Sequence, residues 1–174
     1  MAARQAMESA FKAADTRLDR LAPLIEAYGD DRLLDDGGTW SVRDALAHVA
    51  LAARVSGFGQ RALQRARGEA PAPAAAAPGA PAAPSIDERN RQAIDAIASK
   101  SIADLVAQAK QGHADSWEDI RAMSDADLDT KVPPMQAGGM TQSVGGIILR
   151  TLEYHEAGQM DRIEAALKMH TRWV

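Results

Sequence analysis

Four histidines, at positions 48, 113, 155 and 170, are the residues of this 174-residue chain best suited to chemistry. The chain has no cysteine, so thiolate ligands, cysteine nucleophiles and disulfide frameworks are excluded. His48 closes the segment Trp40-Ser-Val-Arg-Asp44-Ala-Leu-Ala-His48, in which Ser41 and Asp44 have the spacing of a capped helix start. His155 and Gln159 stand four residues apart, one turn of a helix, so their side chains share a face. Two such positions, joined by a ligand from a facing helix, are what a helical metal site requires. No carboxylate pair, nucleophile triad or phosphate-binding loop ranks above these histidines.

The elements that must carry them are helical. Alanine dominates the 46% apolar fraction and there are only seven aromatic residues, a composition that favours helices over strands. Met7, Phe11, Ala14, Leu18, Leu21, Ile25 and Tyr28 alternate spacings of four and three, which predicts a helix over residues 4–28. A second helix is predicted over 41–67, with Val42, Ala45, Leu46, Val49, Ala52 and Ala53 on its buried face. A third, bent helix is predicted over 87–122, with Ser101 and Asp104 as an internal capping signal. A fourth is predicted over 143–169, with Val144, Ile147, Ile148, Leu152, His155, Gln159, Ile163 and Leu167 on its inner face.

Residues 68–85, GEAPAPAAAAPGAPAAPS, hold five of the eight prolines and no large apolar side chain. At about 3.1 Å per residue in polyproline geometry this stretch reaches on the order of 50 Å, more than the roughly 36 Å of a 24-residue helix. The expected fold is therefore all-α, a single domain spanning 1–174, in which four helices form a bundle and 68–85 crosses its length between parallel second and third helices.

The net charge of −4 is spread along the chain with no basic run, which argues against nucleic-acid binding. No long apolar segment and no signal-like N-terminus is present, so neither a membrane nor export is expected, and the cytoplasm is the expected location.

The Trp40–His48 segment and the later segment Ser143-Val-Gly-Gly-Ile-Ile-Leu-Arg-Thr-Leu-Glu-Tyr-His155-Glu-Ala-Gly-Gln159-Met-Asp-Arg-Ile163, in this order and separated by a helix and a long crossover, resemble the DinB/YfiT-like family of metalloenzymes. The resemblance covers nearly the whole chain. It implies a three-ligand divalent-metal site, for zinc or nickel, at His48, His155 and residue 159, with open coordination for water or a substrate thiolate. It further implies a small-molecule substrate, thiol S-transferase or hydrolase chemistry, a low-molecular-weight thiol such as mycothiol or bacillithiol as co-substrate, and a homodimer.

This chain departs from the pattern at one ligand, because Gln159 stands where the family usually has histidine, and a neutral amide oxygen is a poorer donor than imidazole to borderline ions. The alternative is a non-catalytic binding or stress-associated module that keeps the bundle without the metal. His113 follows Val106 by seven and Ala109 by four, on the inward stripe of the third helix, where it is either a hydrogen-bonded core histidine or a replacement ligand. Asp44 is read as a helix-start residue, with orientation of His48 as its other role. Arg162 is read as a solvated surface cation or as a contact for an anionic substrate, Trp40 as a packing anchor, and His170 as a helix C-terminal cation.

Overall fold

The computed structural model describes residues 2–34, 38–69, 84–134 and 140–171, with side chains from 3 to 168 within those spans. Most of the intended crossover, residues 70–83, and the side chain of His170 lie outside the described residues. The chain is mostly helical, as its composition requires, with α1 (Ala2–Tyr28), α2 (Val42–Ala52), α3 (Ser56–Ala66), α4 (Ile86–Asp95), α5 (Ile102–Ala122), α6 (Asp125–Asp129), α7 (Val144–Arg150) and α8 (Ala157–Thr171). The only strands among the described residues are the two-residue pair β1 (Lys131–Val132) and β2 (Gln142–Ser143), which brackets a loop.

Three of the predicted helices are interrupted. The second breaks at Ala53–Val55, and the groups released by the break are taken up by α5: Ser116 donates its hydroxyl to the Ala53 carbonyl at 3.2 Å and accepts from the Ser56 amide at 3.3 Å. Gly112 lets the backbones approach there, since a Cβ at that position would lie 2.9 Å from the Ala53 Cβ and 3.2 Å from its carbonyl carbon. The third divides into α4 and α5 because Ser101 and Asp104 form a complete capping box and so start a new helix. The last changes to a π turn, Thr151–Glu156, between α7 and α8.

Contacts fix the direction of the long helices. Arg43 bonds the carbonyls of Ala98 and Lys100, Gln108 bonds that of Ala50, and Ser56 donates to Asp119, so α2–α3 and α5 run the same way. Lys110 pairs with Asp19 and Arg4 with the carbonyl of Ile120, so α1 and α5 run oppositely. Arg17 bridges Asp161 and Glu164, and α1 and α2 both pack on α8 as well as on α5.

The buried interior of the described residues forms two apolar clusters. One gathers Leu18, Leu21, Leu46, Leu105 and Ile163, the other Met7, Phe11, Val55, Ile120 and Ile148. Between them the interior turns polar: buried Ser56 follows Val55, buried His113 and Ser116 lie between Ala109 and Ile120, buried Glu156 lies between Leu152 and Met160, and half-buried Asp15 follows Ala14.

Candidate metal centre

His48 sits on α2 because Ser41 caps that helix, its hydroxyl accepting from the Asp44 amide at 3.1 Å while Asp44 accepts from the Ser41 amide at 2.9 Å. The other bonds of Asp44 go to Arg91 on α4, at 2.7 and 3.2 Å. Burial opposes its charge, but the bonds from Arg91 and Ser41 prevail and hold the carboxyl below its usual range. Asp44 thus serves the helix start and the α4 contact.

His155 lies in the π turn of the last helix, and its Nε2 is 3.0 Å from the Nε2 of His48. The rings meet edge to face with centroids 5.1 Å apart, and the Trp40 ring also packs on His48, with centroids 5.0 Å apart. His48 is buried and His155 exposed, so the pair spans the boundary between interior and solvent. Burial, and then the neighbouring His155, push the His48 pKa down to about 4, which leaves its imidazole neutral at neutral pH, with its Nε2 hydrogen-bonded to His155 Nε2.

That shift has a sign that can be checked. Between pH 6.5 and about 4 the unfolded chain binds a proton at His48 that the folded chain refuses, so this group makes stability fall as pH falls through that window. Allowing for solvent screening at the rim, the loss is on the order of 2 kcal/mol. Urea unfolding at pH 7 and pH 4, in wild type and His48→Gln, is expected to show this slope in the wild type beyond whatever the carboxylates impose on both. Parallel profiles would refute it.

Gln159 is half-buried one turn beyond His155, and its Oε1 accepts from Arg162 Nη1 at 2.8 Å. An arginine can only donate, so the amide must turn its oxygen, the atom that would bind a metal, toward Arg162. The guanidinium of Arg162 in turn lies 6.0 Å from the ring of Trp40, which itself packs against the larger apolar cluster. Among the described residues, no group of three histidine, cysteine, aspartate or glutamate side chains is arranged to hold a metal ion.

His113 is fully enclosed, and both of its ring nitrogens are engaged. Nδ1 is hydrogen-bonded to Asp15 on α1 at 2.6 Å and Nε2 to Glu156 at 2.7 Å. Burial disfavours the imidazolium, but the two carboxylates outweigh it and raise the pKa above the ordinary histidine value. With no nitrogen to spare, His113 is a core histidine in this arrangement. Two surface hollows, one around Leu24, Tyr28 and Leu167 and one around Leu149 and Tyr154, include none of His48, His155 and Gln159.

The model of the DinB superfamily matches residues 2–160, a span that holds the Trp40–His48 segment, His155 and Gln159. The chain belongs to the DinB superfamily. No curated protein and no solved structure matches it. As a DinB-superfamily chain it departs from expectation in the side that its last helix turns inward. The sequence pattern puts His155 and Gln159 on that face, whereas Glu156 and Met160 occupy the interior and the other two lie at the rim. Glu156 is the residue that sequence reasoning passes over, because a lone glutamate beside a histidine looks like a solvated position. The signal lay in the spacing: Val144, Ile148, Leu152, Glu156 and Met160 recur every four residues, which on a regular helix drifts by about 160° and calls for a wider turn.

Proposed function

We propose that this DinB-superfamily chain is a divalent-metal-dependent enzyme of the thiol S-transferase or hydrolase type, built as a four-helix bundle with residues 68–85 crossing between its second and third helices. The single observation that carries the reading is the 3.0 Å approach of His48 Nε2 and His155 Nε2 from facing helices. Two bonds of about 2.1 Å to one zinc or nickel ion would span that separation at an angle near 90°. The imidazole pair therefore fits such an ion, and the low proton affinity of His48 keeps one donor ready for it. The third donor fits less well, since the Gln159 oxygen is already bonded to Arg162.

When bound, the ion would act as a Lewis acid toward a thiol or water. The chain's own residues supply the rest. Trp40 packs against one face of His48 and holds its ring, and the exposed side of His155 leaves the pair open to a small molecule. Arg162, beside Gln159 and Trp40, offers a positive charge to an anionic co-substrate such as a low-molecular-weight thiol. A homodimer in the cytoplasm belongs to the same reading; no helix among the described residues is long and apolar enough to cross a membrane.

The test is titration of metal-stripped protein with zinc and with nickel by calorimetry, for wild type, His48→Ala and His155→Ala. The wild type is expected to bind one ion per chain and each variant to lose about tenfold or more in affinity. Equal affinity in all three would remove the site. The engaged oxygen of Gln159 favours a second reading, a non-catalytic binding module that has kept the fold without the metal. Negligible binding by the wild type would establish that one.

A further inference from the structure

The last helix must contain one extra residue, but its apolar residues alone do not say where. Val144, Ile148 and Leu152 above, and Met160, Ile163 and Leu167 below, are both buried, yet on an uninterrupted α-helix the two sets would point roughly 100° apart. A single π turn anywhere between Leu152 and Met160 would bring them into phase, and each placement would aim His155 differently. Six residues, Thr151–Glu156, take that turn.

Glu156 is what distinguishes this placement from the others. It is 1% exposed, its Oε1 accepts from His113 Nε2 at 2.7 Å, and its Oε2 has no hydrogen-bond partner among the described residues. A buried carboxylate held by one partner stays in the interior only while that partner is present. His113 is itself held from the far side, by Asp15 of α1 at 2.6 Å. The chain of contacts Asp15, His113, Glu156 therefore ties three helices together one residue away from His155.

We infer that His113 and Glu156 are positioning residues for the proposed metal pair: their hydrogen bond fixes the π turn at Thr151–Glu156 and so aims His155 Nε2 at His48. The inference rests on the reading of His48 and His155 as that pair, but its geometric half stands without any metal. Removing the anchor frees the extra residue to migrate along the helix, and His155 turns with it by up to one residue's rotation, about 100°. The apolar core on either side of the turn is unaffected, so the bundle persists while the histidines part.

The experiment compares Glu156→Gln, which keeps an oxygen to accept from His113, with Glu156→Ala, which keeps none. The double variant His113→Leu/Glu156→Ala replaces both buried polar groups with apolar ones and guards against a fold lost to an unpaired histidine. Two quantities are read: the His48–His155 Nε2 separation in crystal structures of the metal-free proteins, and zinc affinity by calorimetry. Glu156→Gln should keep both near the wild-type values. Glu156→Ala and the double variant should widen the separation past about 4.2 Å, twice a zinc–nitrogen bond, and weaken zinc at least about tenfold. An unchanged separation in a folded double variant would overturn the inference, as would a Gln variant that opens like the Ala variant. Should the wild type bind no zinc, the metal reading fails by itself and the separations still decide the positioning role.

Discussion

Gln159→His is expected to tighten zinc and nickel binding by about 100-fold or more, beyond what loss of an outer hydrogen-bond partner of a metal ligand typically costs. The substitution supplies an imidazole one turn beyond His155 on the same helix, where it can join the proposed pair. It also removes the amide whose oxygen Arg162 holds at 2.8 Å, so the new side chain is not turned away by that bond. What works against it is the guanidinium, whose charge stays beside the site and opposes a divalent cation. The pair of variants Gln159→His and Gln159→His/Arg162→Gln separates these effects, with the double variant binding more tightly still. Calorimetry on metal-stripped proteins measures both. If the histidine variant gains nothing, the site lacks more than a third ligand, and the binding-module reading gains accordingly.

The histidine pair was legible in the sequence because each member lies on an element with a strong local signal. Ser41 and Asp44 start α2 at a definite residue, which sets the face on which His48 falls, and the stripe from Val144 to Leu167 identifies the last helix beyond doubt. The engagement of the Gln159 oxygen was not legible, since a glutamine and an arginine three residues apart make a common surface pair as readily as a bond that blocks a ligand. The break before α5 was announced by Ser101 and Asp104, whereas the one at Ala53 was hidden for another reason. Its cost is met by a partner distant in sequence, Ser116, and local propensity carries no record of it. The polar layer was the largest omission. The spacing of Glu156 with Leu152 and Met160 hinted at its inward side, but nothing local marks Asp15, and only the packing of α1, α5 and the last helix gives the two carboxylates His113 in common.

That shared histidine carries the largest stability effect expected in the molecule. His113→Leu leaves the Glu156 carboxylate in the interior with neither oxygen bonded, and the expected loss is about 3–5 kcal/mol, the range for breaking a buried ion pair by removing one partner. Asp15 contributes less, because its side chain is 34% exposed and can turn to water. Restoring balance by removing the stranded carboxylate as well, in His113→Leu/Glu156→Ala, should return most of the loss, so that the two substitutions are strongly non-additive in urea unfolding. The effect has a pH dependence of known sign. The folded-state pKa of His113 is raised, against burial, by Glu156 and Asp15, so the stability it confers is fully present below the ordinary histidine pKa near 6.5 and is lost as pH rises through the raised value. The gap between wild type and His113→Leu should therefore be widest at about pH 6 and narrow toward alkaline pH, opposite in direction to the slope expected of His48. A gap that is constant with pH would mean that His113 is held neutral, donating to one carboxylate while the other is protonated, and that the layer between the two apolar clusters is a hydrogen-bonded network without an ion pair.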